Sequence, residues 1–255
     1  RFVHIPILMY HAIHDHNSVI SISTREFEWQ MRWLHEHNFR ILSLSEIIAY
    51  LKNGKSLPSH SMAITFDDGF ECIYKNAFPI LKKYNFPAII FLVAGYCGRK
   101  NDWPDQPTSI PKLMLSNWSQ IKEMDRSGIE FGSHTNNHLR LDKISPHQVT
   151  EQIEVSKSII EGYLGHSINI LAYPYGRFNE TIIKSVRSVY KGACTAKPGL
   201  IEADSDPYKL ARVDIFYLKK RFLFKNLSSS LMFVYLYLRR NLRTINSFVF
   251  RRVWS

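Results

Sequence analysis

Cysteine is scarce in this 255-residue chain: Cys72, Cys97 and Cys194 are far apart and form no CxxC pair. An odd, scattered set defines neither a disulfide framework nor a cysteine metal centre, and it leaves the redox compartment open. Long apolar runs are also missing; without a stretch of about 20 apolar residues, no helix read from the sequence spans a bilayer. From Lys219 to Ser255 there is no Asp or Glu, against nine Lys or Arg. The net charge of +11 therefore sits mostly in that tail, while residues 1–218 hold 24 basic and 22 acidic groups. A nearly neutral body argues against a basic nucleic-acid groove and for a local surface role at the C-terminus. Internal repeats are not detectable. The chain begins at Arg1 rather than methionine, which leaves room for an upstream signal peptide or anchor.

What is present is an apolar fraction of 45%, enough for a substantial core. Short apolar runs alternate with amphipathic segments. Strands are expected over residues 5–10, 39–42, 61–66, 87–94, 129–133, 168–173, 192–196 and 210–216. Helices are expected over 24–37, 45–52 (capped by Ser45), 71–84, 116–126, 146–164 and 179–190. The connection 95–115, with Trp103 and three prolines, reads as a long functional loop. This alternation points to a parallel sheet or a (β/α) barrel in one domain. In barrels, chemistry gathers at the C-terminal ends of strands. His11, Asp67, Asp68, His134 and Tyr175 all fall at such ends.

The centre of the pattern is Thr65-Phe66-Asp67-Asp68-Gly69, a strand end carrying two adjacent carboxylates. Like charges side by side resist joint ionisation unless a cation or hydrogen bonds stabilise them. Turn chemistry alone would also account for Asp-Asp-Gly. His134 and His138, four residues apart, are by themselves a common spacing. Two histidines and one Asp, however, make a three-ligand metal set that leaves positions for water and substrate, and Asp68 could complete it, freeing Asp67 as a base.

With Ala172-Tyr173-Pro174-Tyr175-Gly176 added in the same order, the chain resembles the polysaccharide deacetylases, carbohydrate esterase family 4 or NodB-homology domain, over roughly residues 3–216. The resemblance implies an α/β fold: a distorted (β/α) barrel of about seven parallel strands forming one catalytic domain, here residues 1–218. It implies a metal-dependent, most often zinc-dependent, hydrolysis of N-acetyl groups on sugars such as N-acetylglucosamine. The substrate would be an envelope polysaccharide, an exopolysaccharide or a lipid-linked glycan, and a cell-envelope setting follows. Asp67 matches the family's catalytic base, and Asp68, His134 and His138 its Zn2+ ligands. Tyr175 lies in the motif whose backbone N–H holds the oxyanion. The metal would polarise the acetamide carbonyl and acidify water, while Asp67 takes the water's proton.

Two departures stand out. Ala172 occupies the place of a family Arg that orients the base, and Arg212 is the candidate replacement, with an ordinary strand-end ion pair as the alternative. The family's C-terminal acid-supplying His is absent, since no His follows His166. Relatives that open on an apolar-Met-Tyr-His strand look circularly rearranged, and His11 in Leu8-Met9-Tyr10-His11 fits that pattern as the acid, with Asp214 as a candidate partner. These losses also leave open a second function, a carbohydrate-binding protein that has kept the fold without turnover.

Residues 219–255 lie outside the family pattern. Basic residues there flank the apolar run 231–238, which is too short to span. Either a helix packs its apolar side on the barrel, or an interfacial helix makes peripheral contact with an anionic membrane.

Overall fold

Seven parallel strands close on themselves in the computed structural model, which describes residues 4–16, 18–227, 229, 232 and 234–239. The strands are Ile7–Tyr10 (β1), Ser61–Phe66 (β2), Ile89–Leu92 (β3), Glu130–Ser133 (β4), Ile170–Ala172 (β5), Gly192–Pro198 (β6) and Leu210–Asp214 (β7). Neighbours pair in chain order from β2 to β7, and β1 closes the ring by pairing with both β7 and β2. Every ladder is parallel, as expected where helical crossovers cover the outside. The short strand Arg40–Ile41 extends the ring at the start of β2.

Period-two alternation decides which side chains reach the barrel interior. In β2, Met62, Ile64 and Phe66 join the core beneath the helices, while Ala63 joins the inner core. The same parity carries Thr65 and then Asp67 inward. In β1 the outward residues are Leu8 and Tyr10, so Ile7, Met9 and His11 point inward; in β7 the inward set is Leu210, Arg212 and Asp214. The paired registers Met9↔Thr65 and Met9↔Asp214 bring these three rows together at one end. Phe91 fills the axis below them. A Cβ on Gly132 would lie 2.6 Å from the Phe91 ring and 2.8 Å from the Ile170 carbonyl, so β4 has room there only for hydrogen.

The helices fall close to their sequence-expected places, with two informative differences. The helix Leu44–Lys52 is capped by Ser43 rather than Ser45: Ser43 Oγ accepts from the Glu46 N–H and Glu46 reciprocates to the Ser43 N–H. Only Ser43 has a Glu three residues on, which is what a capping box requires. The expected helix 71–84 contains a π turn, Ile73–Ala77, before the α segment Phe78–Tyr84. Pro79 has no N–H for an i−4 bond and crowds the preceding turn, so the helix widens just before it.

Beyond β7, the helix Arg221–Lys225 sets Phe224 edge-on to Trp29 and Trp33 of the helix Thr24–Glu36. Met232 and Leu236 are also buried, and the Tyr235 hydroxyl donates to the Tyr217 carbonyl. The described part of the extension thus packs one apolar side on the barrel. Leu231 and Phe233 of the expected apolar run, and all of 240–255, lie outside the described residues.

Candidate active site

A cavity of about 870 Å³ opens at the C-terminal ends of the strands, lined by His11, Asp67, Asp68, His134, His138, Tyr175 and Asp214. Arg212 lies beneath it, wholly buried. All eight sequence-singled residues therefore meet in one place.

Asp67 inherits its inward direction from β2 and is gripped from below. Arg212 donates two parallel bonds of 2.7 Å to its carboxylate oxygens, Nη1 to Oδ1 and Nη2 to Oδ2. The guanidinium is itself held by the Thr195 carbonyl at 2.8 Å and by Thr65 Oγ1 at 3.1 Å, over the face of Phe91. Such a fork satisfies both groups and fixes the carboxylate plane. Burial pushes the Asp67 carboxyl up, but the charge and hydrogen bonds of Arg212, with His134 and His11 nearby, together hold the acid well below the usual range. His11 Nε2 stands 3.9 Å from Asp67 Oδ2 on the open side. The Asp214 carboxylate accepts from the Phe216 N–H at 2.9 Å, at the same rim.

The neighbouring carboxylate turns the other way because the chain reverses. Asp68 has φ +70° and Gly69 φ +73°, so Asp68 leaves the strand parity and faces the histidines. Asp68 Oδ1 lies 3.5 Å from His134 Nε2 and 3.4 Å from His138 Nε2. The His134 ring is oriented from behind, its Nδ1 hydrogen-bonding the Ala172 carbonyl at 2.8 Å. A carbonyl accepts only, so Nδ1 carries the hydrogen and Nε2 presents its lone pair to Asp68. His138 is set by the turn Thr135–His138, in which its N–H donates to Thr135 Oγ1, and by Trp103 and Tyr175, whose ring centroids lie 4.4 and 4.6 Å away. Thr135, His138 and Tyr175 all take φ between +55° and +67°. Left-handed backbone at a β-branched and an aromatic residue is costly, and its concentration here marks a built site.

This donor set fits a cation. One atom from each of Asp68, His134 and His138 falls within 4.8 Å of the others, and all three residues are buried. Asp68 Oδ1 has no hydrogen-bond partner although it is buried, an arrangement that costs free energy unless something positive sits against it. Burial pushes the Asp68 acid up and the His138 base well down, His134 adding to the latter. Both shifts describe donors that want a shared positive partner.

Trp103, Thr195 and the Ala172 carbonyl were not singled out by sequence reasoning. Trp103 was visible only as an aromatic in a long loop. That loop is pinned by Asn101, whose side chain bonds the Leu113 N–H and the Pro111 carbonyl, and by the Trp103 Nε1 bond to Gln106. No local pattern signals that its indole will land on a histidine 35 residues later.

Residues 54–190 match the family described as Polysaccharide deacetylase. The poly-beta-1,6-N-acetyl-D-glucosamine N-deacetylase of Staphylococcus aureus is 32% identical over 203 residues, 76% of this chain and 67% of that one. Among solved structures, the Streptococcus pyogenes deacetylase PplD in complex with acetate has a TM-score of 0.73 at 31% identity, covering 84% of this chain and 93% of that one. IcaB from Ammonifex degensii has a TM-score of 0.77 at 27% identity, covering 89% and 96%. His11 and Arg212 fall outside residues 54–190, whereas the paired aspartates, both histidines and Tyr175 fall inside. With the barrel, the ordered motifs and these likenesses together, the chain belongs to the polysaccharide deacetylase family.

Proposed function

We propose that the protein hydrolyses the N-acetyl groups of N-acetylglucosamine residues in an exopolysaccharide or other cell-envelope glycan. The observation that carries this reading is the division of labour between two adjacent carboxylates: Asp67 is locked to Arg212, and Asp68 faces two oriented histidines with an unpartnered buried oxygen. A binding protein needs neither. The named substrate of the Staphylococcus aureus relative supports the choice of sugar.

A divalent ion held by Asp68, His134 and His138, most simply Zn2+, would supply Lewis-acid polarisation of the acetamide and make water more acidic. Asp67, kept ionised and fixed in plane, accepts the proton of the attacking water. The backbone N–H of Tyr175, within the left-handed turn at Pro174-Tyr175-Gly176, is the donor for the developing oxyanion. His11, beside Asp67 at the mouth, donates a proton to the departing nitrogen. The C–N bond breaks, water is consumed, and acetate and a free amine leave.

Acetate release from N-acetylglucosamine oligomers, measured with and without a chelator, tests this. Release that stops with chelator and returns with Zn2+ is expected; tight oligomer binding with no acetate at any metal supplement would replace the enzyme with a binder.

A further inference from the structure

The helical residues at the end of the described chain are apolar on two sides. Met232 and Leu236 form the buried stripe, while Val234, Tyr237 and Leu238, at the i, i+3, i+4 spacing of a second stripe, are each more than half exposed. A surface helix ordinarily carries polar residues on its outer side, so packing on the barrel leaves this stripe unexplained. Phe222, in the helix Arg221–Lys225, is also more than half exposed.

The helix that carries the stripe is linked to the cavity mouth. The Arg239 guanidinium lies over the rings of both Tyr235 and Tyr217, Tyr217 contacts Phe216, and the Lys219 ammonium sits over Phe216. Phe216 and the exposed Val19 both line the cavity. The extension supplies only positive charge to this collar: Lys219, Lys220, Arg221, Lys225 and Arg239 are exposed, and no acidic residue occurs from 219 onward, while Asp105 and Asp214 belong to the cavity lining. Glu26 enters only as the partner of Arg221.

We propose that this collar is a docking surface for an anionic lipid bilayer and that docking sets the mouth of the cavity at the headgroup level. Exposed aromatic and aliphatic side chains interleaved with Lys and Arg match an interface that is apolar below and negatively charged above. Among the described residues no helix is long and apolar enough to cross a membrane, so the contact is peripheral. Its consequence is selective access: glycan held near the membrane reaches the cavity ahead of chains free in solution.

The test is co-sedimentation of the full chain with phosphatidylcholine vesicles, with or without phosphatidylglycerol. Binding only to the anionic vesicles is expected. Phe222→Ser/Tyr237→Ser/Leu238→Ser should weaken it at least tenfold, and each of Lys219→Gln and Lys220→Gln about fivefold, roughly the worth of one basic residue near an anionic surface. A fluorophore at Val19→Cys should shift to the blue on anionic vesicles, while one at Lys55→Cys, in the loop entering the opposite end of β2, should not. Equal binding to both vesicles, unchanged binding by the triple variant, or a vesicle-independent dimer abolished by that variant would each overturn the proposal. Binding is read without turnover, so its failure leaves deacetylation standing, and acetate release from short soluble oligomers should be unchanged in the triple variant.

Discussion

Replacing Arg212 by Met removes a guanidinium that is wholly buried and, among the described residues, leaves the Asp67 carboxylate with only His11, 3.9 Å away on the open side, as a charged neighbour in contact range. The two bonds it makes to Asp67 are 2.7 Å long, and that carboxylate is 5% exposed, so little solvent screens the pair. Unit charges about 4 Å apart at an effective dielectric of about 20 interact by about 4 kcal/mol. Breaking one side of a buried pair costs about 3–5 kcal/mol, in agreement. For a chain of this size each kcal/mol moves the melting temperature by about 2–4 °C, so a fall of about 6–20 °C is expected. Arg212→Lys keeps the charge but not the fork and should fall between. Turnover should drop about 10²-fold even where the variant is folded, because the base loses its fixed plane. Metal content should not change, since the proposed ligands Asp68, His134 and His138 follow other strands. The decisive measurement is the cycle with Asp67→Asn: the double variant should be less destabilised than the sum of the singles by about 3 kcal/mol. Additivity within about 0.5 kcal/mol, or wild-type melting in Arg212→Met, would refute the argument that this pair holds Asp67.

Other outcomes follow from the same geometry. Asp68→Ala and His134→Ala should each reduce bound zinc by elemental analysis, and undiminished metal in both would remove the ligand set. His11→Ala should keep zinc and lose roughly 10²–10⁴-fold in turnover, as for a positioned acid; loss of metal instead would reassign it. Burial pushes the Cys194 thiol up to about 12. The folded chain then keeps a proton that the unfolded thiol releases near pH 8.5, so this group contributes stability below that pH and loses it as pH rises toward about 12. Urea melts between pH 9 and 11 should lose about 1.4 kcal/mol per pH unit from this thiol, and Cys194→Ala should remove that share of the slope.

The strand ends and the paired carboxylates were legible because they depend on local pattern: a short apolar run, Ser61 to Phe66, that stops at Asp67-Asp68-Gly69 reads as a strand meeting a turn. The Thr65-Phe66-Asp67-Asp68-Gly69 run even contains Thr65, which helps hold Arg212. Less legible was whatever depends on register around the ring. Arg212 reaches Asp67 across 145 residues because β1 sits between β2 and β7, an adjacency the sequence order of strands does not announce. Ala172, which looks like a loss beside the family's Arg, offers its carbonyl to His134 instead, and a backbone contribution leaves no trace in residue type. The Ser43 cap was readable from Glu46, whereas the seating of Trp103 on His138 rests on how Asn101 folds a long loop, and spacing says nothing of that.

Closure of the ring by β1 also sets a schedule. Asp67, Asp68 and His134 emerge from the ribosome early, yet Asp67 has no counter-cation until the strand bearing Arg212 has been made, 145 residues later. At about 5–20 residues per second that interval is about 7–30 s. Until β7 slots in beside β1, the nascent chain holds an acidic pair without its guanidinium, a strand gap where the last ladder belongs, and an Asp67 carboxylate that Arg212 does not yet orient. Competence for chemistry and completion of the barrel therefore arrive together, and a chain cut short before Arg212 carries most of the family motif without the means to use it.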